Sequence, residues 1–162
     1  MEQLPDFWRT EVYHPLFAHF PIALLLMGTF FKIFALWGKG KFLAAPGTIL
    51  LTTGTIGGWI TIYTGNLADG FVARTLCDPT VLKDHENAGY IMVWIFTCAL
   101  LIDLLYVFDF VKLKKRLVNF LVVLILIIGS VYLAYVGHLG ATLVYQQAAG
   151  VHIPSENCAE FN

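Results

Sequence analysis

Four long apolar runs constrain this chain more than anything else in it. They cover about 15–37, 46–66, 85–107 and 117–140, joined by short polar stretches. A bilayer core about 30 Å thick needs roughly 20 apolar residues of helix to cross it, and each run meets that length. The runs lack the alternation of inward and outward residues that a membrane β-barrel would carry. Only 13% of the 162 residues are charged and 58% are hydrophobic, which excludes an ordinary soluble domain. The expected fold is an all-α, integral membrane four-helix bundle, up-down-up-down, in a single domain with short tails. No nucleic-acid partner is expected.

The opening segment "MEQLPDFWRTEVY" has neither the basic start nor the small-residue cleavage site of a secretory signal, so the first span is expected to be permanent. Basic residues set the orientation. Lys32, Lys39, Lys41, Lys112, Lys114, Lys115 and Arg116 fall on one side, and Arg9, Arg74 and Lys83 on the other. The first side is expected to be cytoplasmic. Both termini and the 67–86 connection then face the periplasm or cell exterior. That connection is expected to be the longest, with a helical turn over 67–73.

All five histidines, His14, His19, His85, His138 and His152, lie on the outer side. Pro15 suits a first helical turn, which puts His19 one turn inside span one and leaves His14 extended at the water boundary. In "CDPTVLKDHENAGY", Asp78 and Pro79 read as a helix start, so His85 falls about two turns into span three. His138 ends span four. His19, His85 and His138 are therefore expected at similar depth on three helices, each with a small residue one turn toward the membrane centre: Ala23, Gly89 and Ala134. Ionisable groups inside spans are uncommon without a function, although a lone interfacial histidine can simply reach water or headgroups. His152, in a tail, is read in that ordinary way.

Span two, "GTILLTTGTIGGWITIYTGN", presents Gly54 and Gly58 as a GxxxG pair, continued by Thr61 and Gly65. Such surfaces allow close helix packing, within the bundle or as a homo-oligomer seam. Asp103 in "LLIDLL" reads as interfacial, near the basic loop. Cys98 reads as a small filler within its span. Cys77 and Cys158 share the oxidising side and are expected to be bridged. No CxxCH for covalent haem, phosphate loop, nucleophile elbow or pair of catalytic carboxylates is present.

"HPLFAHFPIALLL" opening span one, "YTGNLADG" closing span two, the His leading into span three and "GHLGATLVYQQAAGV" closing span four together resemble the DUF2231 membrane domain over nearly the whole chain. The ending departs from the family pattern at Ala141, where a second glycine is usual. The resemblance implies four helices and, because similar domains are sometimes fused to c-type cytochrome modules, a place near electron transfer. Joined to the histidine arrangement, this gives an expectation of a membrane b-type haem protein. It would hold one haem b, or two, as a non-catalytic subunit or partner of a respiratory or photosynthetic complex. His19 and His85 are the expected axial ligands, with His138 and His14 as alternates, since imidazoles on facing helices can bind one iron. Arg9, Arg74 or Lys83 would meet the propionates. A periplasmic c-type cytochrome or a quinol would be the electron partner. The other readings are a cofactor-free structural or assembly subunit, and a non-haem metal site made of the same imidazoles.

Overall fold

A computed structural model describes residues 9–110, 114–151 and 153. Four helices account for most of them: α1 (Thr10–Ala35), α2 (Ala44–Val72), α3 (Thr80–Val107) and α4 (Lys115–Gln147). Short 3-10 turns, Gly38–Leu43 and Ala73–Thr75, flank α2. No strand occurs among the described residues. All four helices are long and apolar enough to cross a membrane. They follow one another antiparallel around the bundle, with α4 closing against α1, so α1 and α3 lie on a diagonal.

Each helix puts one face inside and another toward lipid. Leu25, Leu51, Phe96 and Leu126 fill the middle with no more than 1% of their surface exposed. Phe20, Ile49, Ile56, Trp94, Leu101, Ile127 and Val131 point outward from the same helices. An outer surface of this kind is stable only in an apolar solvent. Cys98 faces outward too, so it fills no gap between helices.

The α1–α2 seam is the closest. A side chain on Gly54 would come 2.9 Å from Leu25, and one on Gly28 would come 3.0 Å from Leu51. Gly58 abuts Val93 of α3. Both members of the GxxxG pair are thus used inside the bundle, which removes them as a homo-oligomer seam. Polar pairs add specificity between α2 and α3: Trp59 Nε1 donates to Thr97 Oγ1 at 3.1 Å, and Asn66 donates to the Tyr90 hydroxyl at 2.8 Å.

Two helix ends differ from expectation. α1 starts at Thr10, which makes His14 helical and leaves Pro15 and Pro21 inside the helix. A proline deletes one backbone hydrogen bond, a loss that packing against neighbouring helices offsets in membrane bundles; Pro21 is buried, with Gly57 of α2 beside it. α2 continues to Val72 and absorbs the expected turn at 67–73. The link to α3 shrinks to 73–79, no longer than the other two. The start of α3 follows expectation. Asp78 accepts from the hydroxyl of Thr80 at 2.6 Å and from its amide at 2.9 Å, and these bonds hold its carboxyl below the ordinary value. Cys77 is exposed in this link, while Cys158 and His152 lie outside the described residues.

Candidate functional site: a histidine pair at one end of the bundle

The inward stripe of α1 is Glu11, Pro21, Leu25, Gly28, Thr29, Lys32 and Ala35. His14, one turn after Glu11, shares that face and reaches across the diagonal to His85 of α3. The two ring centroids are 6.0 Å apart and the rings are nearly perpendicular, at 88°. Five residues separate His19 from His14, roughly 140° around the helix. His19 is therefore exposed, its Nδ1 2.6 Å from the Pro15 carbonyl of its own helix. The expected roles of His14 and His19 are reversed, because an earlier helix start and an interior proline set the phase of α1. His138 is also exposed, two residues beyond buried Val136. Ala23 and Ala134 face outward with these two histidines; only Gly89 is buried, with Ile62 beside it.

Each imidazole of the pair is held the same way. His14 Nδ1 lies 3.0 Å from the Thr61 carbonyl of α2, and His85 Nδ1 lies 3.1 Å from the Val136 carbonyl of α4. A helix carbonyl is normally covered by the side chain one turn further on. Here the residue at that place is glycine in both cases. A Cβ on Gly65 would sit 2.9 Å from His14 Nδ1, and one on Gly140 would sit 3.2 Å from His85 Cε1. The carbonyl-then-glycine spacing of Thr61 and Gly65 recurs in Val136 and Gly140. It opens two backbone acceptors to two rings. With Nδ1–H donating, each ring keeps Nε2 unprotonated, the form in which imidazole binds a metal. Gly65→Val should displace His14 from its carbonyl and destabilise the chain by about 1–3 kcal/mol. Unfolding in detergent measures this, and an unchanged midpoint would contradict the packing described.

Around the pair, Arg9 binds the carboxylate of buried Glu11 and lies over the Phe71 ring at 5.5 Å. Lys83 pairs with Glu86 at 2.6 Å. Arg74 is exposed. Among the described residues no group of three or more His, Cys, Asp and Glu side chains is arranged to hold a metal.

A second polar centre lies near the opposite end. Lys32 of α1 reaches across the same diagonal and meets Asp103 of α3 at 2.6 Å, with both side chains less than a tenth exposed. Thr48 of α2 accepts from Lys32 at 2.7 Å and donates to Asp103 at 2.7 Å. Asp103 is thus internal rather than interfacial, and Lys32 is no loose flanking base. A charge near the end of each of two spans was the available signal; what it lacked was the depth that matches them.

A family model described as "Predicted membrane protein (DUF2231)" matches residues 11–153. The chain belongs to the DUF2231 family. In this DUF2231 chain the four stretches that carried the resemblance converge at one end of the bundle, as His14, Gly65, His85 and Gly140. Neither a curated protein nor a solved structure matches it.

Proposed function

We propose that this protein is a membrane b-type haem protein of the bacterial inner membrane, transferring electrons at its outer face, with His14 and His85 as the axial ligands. The observation that carries this reading is the facing pair itself, each Nδ1 anchored on a backbone carbonyl. The two rings, 6.0 Å apart between centroids and each with Nε2 left free of a proton, offer the pair of neutral imidazoles that would hold a haem iron. Bound haem would supply a one-electron couple at this position. His14 and His85 would hold it from diagonal helices, and Thr61 and Val136 would fix the tautomer and angle of each ring. Room for a porphyrin requires the outer ends of α1 and α3 to part. Arg9, which precedes α1 at this end of the bundle, would have to leave Glu11 to meet a propionate.

Termini on the periplasmic side, and a periplasmic c-type cytochrome or a quinol as partner, complete the proposal. The basic residues Lys41, Lys114, Lys115 and Arg116 at the end opposite the histidines support that orientation. The test is accessibility to a reductant that cannot cross the membrane. In right-side-out vesicles, reduced soluble cytochrome c should reduce the haem. In inside-out vesicles it should not. Reduction only in the inside-out preparation would overturn the outer-face assignment.

A further inference from the structure

At the basic end of the bundle, α1 stops just short of where α4 begins. Between them lies a groove of about 530 Å3 lined by Leu36, Trp37, Lys114, Arg116, Leu117 and Phe120. Its composition is unusual for a water-filled cleft. Two cations stand beside four apolar side chains, three of which are large and exposed: Trp37 at 60%, Phe120 at 56% and Leu117 at 50%. No carboxylate among the described residues lines it. None of the ion pairs among the described residues involves Lys114 or Arg116. Asp103, the acid of the neighbouring interior, is taken by Lys32 and Thr48. Lys115, between the two groove cations in sequence, turns instead over the Tyr106 ring at 5.7 Å.

The groove also sits at the right level. Trp37 follows the last turn of α1, and Lys114, Arg116 and Phe120 span the first turns of α4. Helix ends are where a membrane helix leaves the hydrocarbon, and aromatic rings gather at the headgroup boundary there. Basic pockets between helices at this level suit anionic headgroups. Arg116 can bind phosphate oxygens bidentately, and Lys114 adds a point charge.

We propose that the groove between the end of α1 and the start of α4 is a binding site for one anionic phospholipid of the adjoining leaflet. Its phosphate sits between Lys114 and Arg116. Its glycerol and upper acyl carbons lie along Trp37, Leu117 and Phe120. The site is independent of the histidine pair, which occupies the other end of the bundle.

The test is native mass spectrometry of the detergent-purified full chain, titrated with phosphatidylglycerol or phosphatidylcholine at equal concentration. One phosphatidylglycerol should be retained per chain, with about tenfold preference over phosphatidylcholine. Lys114→Gln with Arg116→Gln should remove that preference, while Lys115→Gln with Lys41→Gln should keep it, since those residues do not line the groove. All four positions are exposed, and a circular dichroism melt checks that the variants stay folded. Equal retention of the two lipids would overturn the proposal. So would a preference that survives loss of Lys114 and Arg116, or displacement of the lipid by millimolar inorganic phosphate, which would make this a site for the free anion only.

Discussion

His14→Ala and His85→Ala should each lower haem retention at least tenfold, whereas His19→Ala and His138→Ala should leave it unchanged. The contrast follows from orientation. His14 and His85 meet inside the bundle with Nδ1 of each bonded to a backbone carbonyl. His19 of α1 and His138 of α4 face outward at the same end of the bundle. On the proposed reading, removing either imidazole would delete an iron ligand outright, and loss of a partner that merely orients a ligand already costs about 10–100-fold in comparable sites. The measurement is haem per chain by pyridine haemochrome, after expression with ample haem supply. A melt in detergent separates lost ligation from lost folding. Full haem content in either the His14 or the His85 variant would remove that residue from the site. Loss in the His19 and His85 variants, with full retention in the His14 variant, would restore the assignment that the sequence by itself favours.

The second large effect concerns Lys32 and Asp103. Breaking a buried ion pair by removing one partner leaves the other charge uncompensated, at about 3–5 kcal/mol. Lys32→Met and Asp103→Leu should therefore each destabilise the bundle strongly. The double variant should regain most of the loss, because two apolar side chains of similar volume replace a pair whose own desolvation is expensive. Thr48 should soften the Lys32→Met variant slightly, since its hydroxyl still donates to Asp103. Chemical or SDS unfolding of the purified protein gives the comparison. Single variants that unfold like the parent would show that water reaches the pair freely. A double variant as unstable as the sum of the singles would show that the two residues act apart.

The spans were legible from sequence because a bilayer demands length and apolarity, and both can be read directly. The phase of each helix was not. In a membrane the face toward lipid is as apolar as the face toward the core, so hydropathy does not say which side of α1 turns inward. Phe17 and Phe20 face out while Leu25 faces in, and nothing in residue type separates them. Proline added to the error. Pro15 resembles a first-turn residue, yet α1 begins at Thr10 and runs through it. That choice alone exchanges His14 for His19. Small residues were an uneven guide: Gly54 and Gly65 of span two mark lines of close contact, whereas Ala23 and Ala134 face outward. Lys32 and Asp103 were visible as charges near span ends, but pairing them needed the relative depth of α1 and α3. His85 was legible throughout, since Asp78 and Pro79 fixed the start of its helix.

The central claim is that the His14–His85 pair holds a haem iron, and one visible absorption spectrum of the detergent-purified protein, oxidised and then reduced with dithionite, tests it most directly. The account predicts a Soret band that sharpens and shifts to longer wavelength on reduction, with the resolved α band of a low-spin, six-coordinate bis-imidazole haem. Protein expressed with ample haem that shows no Soret absorbance in either state would contradict it.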